Sequence, residues 1–466
     1  MTSAPYSWPR PRLAAAGLLG VWAAAVAVAP TVETKLLIGA PAVLLAFSCW
    51  TIAAPARWLA GFLAAALLLP PLPVAWGDSG PHVCLFFAAL GLLGGVWWLP
   101  RSPIPGSALN RAVAAFLLVL LASVAPAALD SGAAIAGGSL VRVGLFGISI
   151  FVFLFAAYGP GLGRDPFSAI RSLYWIAVAS ALFACVDFYF QFPAPAGYGS
   201  QFVWLDSGVY RRAQGIFYDA GTLGNFCAFF LVMIAVCFSR RREETPLARK
   251  ALAAGGLIFS FALVLSYSRS SLLNVLTALA VLAWMNRSRL RPVRVAAIAV
   301  PSFAAAALLA WKVFPQFVEA YWLRLSASVE YFSSATGAVL SGRLDSWRTL
   351  AGWISAHPWQ ALFGIGYKTL PYTSYLGAPV VGDNMYLSLL VETGVLGLAA
   401  LLWMNVAILR ASAVAARAPE SRKAFFGTWM LCFWSGQMVQ MLSVDVLTFW
   451  RVLPAYFLVL ALAVRA

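Results

Sequence analysis

The sequence predicts an all-α protein, a polytopic membrane helix bundle, and three observations predict it. The chain is 62% hydrophobic and 10% charged, where a soluble domain carries about 25% charged residues. Its apolar stretches are continuous and rich in Ala and Leu, and they reach the roughly 20 residues that one crossing of a hydrocarbon core needs. Its basic residues fall alternately in dense and sparse short loops, the asymmetry that orients a chain in a bilayer. Helices and closed barrels are the only structures that satisfy the backbone in lipid. The absence of alternation in the apolar runs selects helices.

Taken in order, spans are expected at 13–30, 36–54, 58–77, 83–99, 112–129, 140–158, 172–192, 214–238, 251–267, 270–285, 295–311, 385–406, 425–442 and 450–464. That makes about fourteen, or about twelve if the short fourth and tenth are re-entrant. Arg10 and Arg12 ahead of an apolar run, with Ala-Val-Ala before Pro30, imitate a secretory leader. A second apolar run follows at once, so the first is expected to be a retained helix. The segment 251–284 is too long for one span and must fold back, with Arg269 marking the turn. With both termini cytoplasmic, about two thirds of the 32 Lys and Arg fall on the inner side. The outer side then holds two unusual connections, 193–213 and 312–383, the second far above the usual roughly 4–6 residues. A helix capped by Ser341 with Trp347, Leu350 and Ile354 on one face, and an amphipathic piece carrying Phe317, Tyr321 and Leu325, predict a helical periplasmic cap there. The chain divides into N-terminal membrane helices (1–209), a core with the large loop (210–400) and C-terminal membrane helices (401–466).

Composition also excludes function classes. The net charge of +16 is spread over many short loops, as the positive-inside rule produces, and does not mark a nucleic-acid surface. Six scattered cysteines and two histidines give neither a disulfide framework nor a metal site. No cofactor motif is present: the Gly364-Ile-Gly366 turn has no flanking strand for a dinucleotide.

Five outer-face segments carry the residues that chemistry could use. Arg211 and Arg212 sit where an outer loop enters a helix, ahead of Gly215, Gly221 and Gly224. They read either as anchors that snorkel to head groups or as ligands of a phosphate. Arg269, in Ser266-Tyr-Ser-Arg-Ser-Ser271, needs a partner: Asp187, Asp206 or Asp219, or a substrate phosphate gripped by the guanidinium fork. Arg343 and Arg348 flank Asp345 and Trp347 on one helix, where an Arg–Asp pair can be a mere surface bridge. His357 precedes Pro358 after that helix and is either structural or catalytic. Asp383, Asn384 and Tyr386 open the next span, where Asp383 or Asn384 suits a helix cap as well as a catalytic role. On a continuous helix Asp383, Leu387, Leu390, Gly394 and Gly397 share one stripe. Glu392 then lies about 180° away and roughly 14 Å deeper, an intramembrane carboxylate.

In this order the segments resemble the bacterial O-antigen ligase and O-antigen or exopolysaccharide polymerase superfamily. The residues that carry the resemblance are Arg212 and Gly215; Ser268 and Arg269; Arg343, Trp347, His357, Pro358, Gly364 and Gly366; and Asn384, Tyr386, Leu387, Gly394 and Gly397. It covers about 210–400. The resemblance implies a GT-C-like glycosyltransferase of the inner (cytoplasmic) membrane with its site facing the periplasm. It implies a metal-independent inverting transfer of a glycan from undecaprenyl diphosphate. The acceptor would be lipid A–core (a ligase) or a second lipid-linked glycan (a polymerase). Asp383 and Arg269 would be catalytic, and Arg211, Arg212, Arg343, Arg348, Asn384, Tyr386 and His357 would bind substrate. Where the family's last motif begins with histidine, this chain has Asp383, a weaker base near neutral pH at its ordinary pKa of about 3.9. That departure favours the polymerase reading. A lipid-linked oligosaccharide flippase or other transporter is the alternative of another class.

Overall fold

The computed structural model describes residues 10–53, 55–72, 81–98, 104–159, 165–195, 197–205, 208–287, 311–312, 318–319, 322–323, 326, 343–374, 376–377 and 379–465. The helices are α1 (Arg10–Val28), α2 (Val32–Ile52), α3 (Pro55–Leu68), α4 (Cys84–Trp98), α5 (Ala108–Ala122), α6 (Val124–Ser131), α7 (Ala133–Tyr158), α8 (Pro166–Phe190), α9 (Ala220–Phe238), α10 (Arg249–Leu265), α11 (Arg269–Met285), α12 (Arg343–Ala356), α13 (Pro358–Phe363), α14 (Met385–Ala416), α15 (Ser421–Gln440) and α16 (Leu453–Val464). Among the described residues, five stretches are long and apolar enough to cross a membrane: Ala108–Ser131, α7, α8, α9 and α14. Six shorter apolar helices, among them α11 and α16, accompany them. The protein is therefore a helical membrane protein. The expected span at 295–310 and the residues Phe317, Tyr321, Leu325 and Ser341 lie outside the described residues.

The helices pack around α16, whose residues Leu453–Ala463 are buried on every face, as an all-round apolar helix must be. A polar clamp ties its neighbours together. Asn225 on α9 and Asn274 on α11 each donate to the side-chain oxygens of Gln437 and Gln440 on α15, at 2.6–2.9 Å. Tyr456 on α16 donates to Asn225 at 2.7 Å. All five side chains are buried. Such groups join helices where lipid offers no competing partner. The clamp lies little more than one turn below Arg269 and fixes the start of α11.

Three features depart from the expectations. The connection at 193–213 is not irregular throughout: β1 (Phe202–Leu205) and β2 (Gly208–Arg211) pair antiparallel with Phe202 opposite Arg211, so the protein is not purely α. The helix after it begins at Ala220 and not near 214, because Asp219 caps it, accepting from the Thr222 amide at 2.7 Å. The third departure is in α14, which is broken at Gly394 (φ 68°, ψ −172°). The stripe drawn from Asp383 to Gly397 assumes one continuous helix, and the break ends it.

The break has a partner. A backbone turned out at Gly394 cannot supply the helical donors that the carbonyls of Val391 and Glu392 would otherwise accept. The amides of Ile365 and Gly366 take their place, at 3.1 and 2.7 Å. The approach is so close that a Cβ on Gly364 would lie 2.3 Å from the Glu392 carbonyl oxygen, and one on Gly394 would lie 2.1 Å from that of Leu362. Irregular backbone at membrane depth is tolerated when protein satisfies it in this way. A small satellite core of Leu350, Ile365, Leu370 and Val391 holds α12 onto this junction.

Candidate functional site

A cavity of about 830 Å³ opens where the α10–α11 turn, the 364–372 segment, the entry of α14 and the 444–451 segment converge. Its lining includes Arg142, Arg212, Arg269, Lys368 and Arg451 and the carboxylates of Asp219, Asp383, Glu392 and Asp445.

The first wall is built by the turn between α10 and α11. Tyr267 adopts the left-handed conformation (φ 52°), which reverses the chain and sets Arg269 as the first residue of α11. Gly224 on α9 packs under the serines of this turn, where a Cβ would lie 2.8 Å from both Ser268 and Ser271. Arg212 reaches the same turn from β2: its Nε donates to the Ser266 carbonyl at 2.9 Å, and the Ala213 amide donates to that of Leu265 at 2.9 Å. Two guanidinium groups thus meet from elements about fifty residues apart. Strand alternation sends the preceding Arg211 elsewhere. It lies 3.6 Å from Asp187, and neither side chain of this pair lines the cavity.

The second wall is the 366–370 segment against α14. Lys368 is buried, is left-handed (φ 58°), and forms an ion pair with Asp445. Asp445 also caps the turn Val446–Thr448 through the Leu447 amide at 3.1 Å. Glu392 is 2% exposed and accepts from the Leu370 amide at 3.3 Å. Burial raises the Tyr367 hydroxyl well above the usual phenol range, so it stays protonated.

The third wall is formed by His82, Tyr198, Tyr218 and Arg451. Arg451 donates to the carbonyls of Ala66, Leu69 and Ile216 at 2.6–3.0 Å, and its guanidinium lies over Phe217 at 5.1 Å. Burial lowers its pKa to about 10, so it is cationic at neutral pH. His82 accepts from the Cys84 amide at 3.1 Å through Nδ1, and its Nε2 lies 3.0 Å from the Leu69 carbonyl. That pairing suits the neutral ring with the proton on Nε2. Burial first, and then the Arg451 charge, lower its pKa to about 4.

Of the residues singled out in the sequence, Arg212, Asp219, Arg269, Asp383 and Glu392 line the cavity. Arg211, Arg348, His357, Asn384 and Tyr386 do not. Asn384 is the cap of α14, accepting from the Leu387 amide at 3.1 Å. Tyr386 donates to the Met438 carbonyl at 2.9 Å. His357 stacks on Trp353 with ring centres 4.6 Å apart. Arg348 is exposed on α12, and the side chain of Arg343 lies outside the described residues. Asp219 and Asp187 are occupied as helix cap and as partner of Arg211. Sequence reading missed Arg142, Lys368, Asp445 and Arg451. For Arg142 and Arg451 a signal existed: each interrupts or abuts an apolar run, where a charge is costly without a purpose. Among the described residues, no group of three His, Cys, Asp or Glu could hold a metal ion.

Residues 254–402 match the family model described as O-antigen ligase, and this part of the chain supports the O-antigen ligase superfamily. The match is to a family of enzymes of glycan transfer in polysaccharide biosynthesis. It includes Arg269, Lys368, Asp383 and Glu392, whereas Arg142, Arg212, Asp445 and Arg451 reach the cavity from outside it. No curated protein matches the chain.

Proposed function

We propose that this protein transfers a glycan from undecaprenyl diphosphate to a sugar hydroxyl, on the periplasmic face of the inner membrane and on a GT-C-like bundle. The observation that carries the reading is the convergence of Arg212 and Arg269 on one cavity with Asp383. In the reaction the acceptor oxygen bonds to the anomeric carbon from the face opposite the diphosphate. The carbon–oxygen bond to phosphate breaks, and the electron pair leaves on the diphosphate. Preorganised cations are what a developing phosphate charge needs, and they require no reorganisation as it forms. Arg212 is oriented by a backbone carbonyl and Arg269 by the start of a helix, so both are held before substrate arrives. Asp383 accepts a hydrogen bond from the acceptor sugar and orients it.

The acceptor is lipid A–core for a ligase and a second lipid-linked glycan for a polymerase. Asp383 in place of the family's histidine supports the polymerase. Reconstituted protein given lipid-linked glycan is expected to release free undecaprenyl diphosphate, and the acceptor that becomes extended decides between the two. Passage of the intact lipid-linked glycan across the bilayer, with no diphosphate released, would replace the enzyme with a flippase. The face is tested separately. A single cysteine at exposed Ser355, in a background without the six native cysteines, is expected to react with an impermeant maleimide in intact cells. Protection there would turn the site inward.

A further inference from the structure

The cavity holds four carboxylates, and three have employment that can be named. Asp219 accepts from the Thr222 amide and hydroxyl, both at 2.7 Å, and from Gln201 at 3.1 Å. Asp445 is committed to Lys368 and to the Leu447 amide. Asp383 stands half-buried at the cavity edge, one residue ahead of the α14 cap, and is assigned above to the acceptor sugar. Glu392 differs from all three. One of its oxygens accepts from the Leu370 amide, and the other, Oε2, is buried without a hydrogen-bond partner among the described residues. An unpartnered carboxylate oxygen in a buried site is costly, and Glu392 belongs to the lining of a cavity that also holds cations.

The surrounding fold is organised around keeping it there. The helix is broken two residues after Glu392, and the freed Glu392 carbonyl is taken by the Gly366 amide. Backbone and side chain of Glu392 are therefore both tied to the 364–370 segment. That segment also carries Lys368, held in a conformation that non-glycine residues seldom adopt. Such local strain persists where surrounding structure over-determines it, and it clusters at functional sites. The charged and titratable groups that face Glu392 are Lys368 and Tyr367 from the 364–372 segment and Asp445 from the connection before α16; Arg142 from α7 acts on Tyr367 beside it. Lys368 is already paired with Asp445, and the two charges act on Glu392 in opposite directions.

We propose that Glu392 is the catalytic base of the transfer: its carboxylate receives the proton of the acceptor hydroxyl, while Asp383 at the cavity edge orients the acceptor sugar. The assignment rests on the glycan-transfer reading. It divides the acceptor's two needs between two carboxylates, one at the mouth of the cavity to orient and one in its wall to deprotonate. The balance is complete. The hydroxyl oxygen bonds to the anomeric carbon, its proton passes to the Glu392 carboxylate, and the bond to the diphosphate breaks with its electrons. Proton removal by a positioned side chain contributes roughly 10²–10⁴-fold to such a step.

Glu392→Gln tests the proposal, because the amide oxygen can still accept from the Leu370 amide and anchor the segment, yet cannot take the proton. The variant is expected to bind undecaprenyl diphosphate as the wild type does, measured by native mass spectrometry. Its turnover is expected to fall roughly 10²-fold or more, and the fall in rate expected of the wild type on the acid side should disappear. Asp383→Asn is expected to raise KM for the acceptor and to keep that acid limb. Three results overturn the proposal: a Gln variant within a few-fold of wild type, a Gln variant that has lost diphosphate binding, or loss of the acid limb in Asp383→Asn and not in the Gln variant. If the Gln variant does not accumulate, Glu392→Asp carries the test: a lower rate with the acid limb present supports the base, and an unchanged rate overturns it. A wild type that releases no diphosphate with any acceptor removes the glycan-transfer reading itself, a result distinct from a failure of Glu392 alone.

Discussion

The cavity's first two walls bring charge to the same space by different means. At the α10–α11 turn, Arg269 is placed by its own neighbours: a left-handed Tyr267, small serines and a helix start. At the 364–394 junction, Lys368 and Glu392 are placed by two backbones that meet at glycines far apart in sequence. The first wall can be read from local residues. The second exists only once a broken helix finds donors in another segment. Substitution should therefore harm the first wall through chemistry, and the second through folding wherever its meeting backbones are changed.

The largest effect is expected at Arg269. Arg269→Ala removes a group from the wall proposed to face the leaving diphosphate, and loss of one such donor costs about 10²–10³ in rate. Arg269→Lys keeps the charge, loses the fork, and should fall between. Melting temperatures in detergent should remain near wild type. Near wild-type activity of Arg269→Ala would break the comparison, because the first wall would then carry no chemistry.

The second wall is tested by Gly394→Ala. The new Cβ meets the Leu362 carbonyl in a conformation that L residues resist, so a loss of at least about 2 kcal/mol is expected. Gly256→Ala in α10 is the control: its nearest neighbour is 3.8 Å away, and helix propensity favours Ala by about 0.8–1.0 kcal/mol. Equal melting temperatures for the two variants would show that the break is not built into the fold.

A pH experiment extends the contrast to the third wall, which is also a long-range construction. The buried His82 has its pKa lowered to about 4. Near pH 7 the ring is neutral in both the folded and unfolded chain and contributes nothing. As pH falls below the unfolded value of about 6.5, the unfolded chain takes up a proton that the folded one refuses. Stability is therefore lost between about pH 6.5 and pH 4, by about 2 kcal/mol. The melting temperature of His82→Gln should fall less across this window than that of the wild type. Parallel curves would mean that the ring is not held neutral.

Adjacent arginines give a finer test. Arg212→Gln should lower transfer with little change in stability, whereas Arg211→Gln leaves Asp187 without its partner and should cost about 1–3 kcal/mol while sparing the cavity. The reverse outcome would exchange their roles. The smallest effect is expected from Asn384→Ala, which removes the α14 cap at a cost of about 1 kcal/mol. Asn384→Asp should restore the melting temperature, and activity should follow stability in both. A loss of activity in Asn384→Asp at full stability would return Asn384 to substrate binding.

By itself the sequence determined that the chain is a helical membrane protein and that it turns back at Arg269, and it singled out Arg212, Arg269, Asp383 and Glu392, which line one cavity. These are local matters. Hydrocarbon thickness sets how long an apolar run must be, and a charge inside such a run marks either a turn or a partner. Tertiary structure decided which polar groups share a space. Arg211 and Arg212 are chemically identical, and the strand's alternation, followed by packing, sends one to Asp187 and the other to the cavity. Gly394 reads as a small residue for close helix contact. Its positive φ instead ends the helical phase, and no periodicity computed along the chain survives that break. Arg451 and Lys368 were hidden for the same reason. Their partners lie in segments remote in sequence, and a pairing across such a distance is fixed by packing.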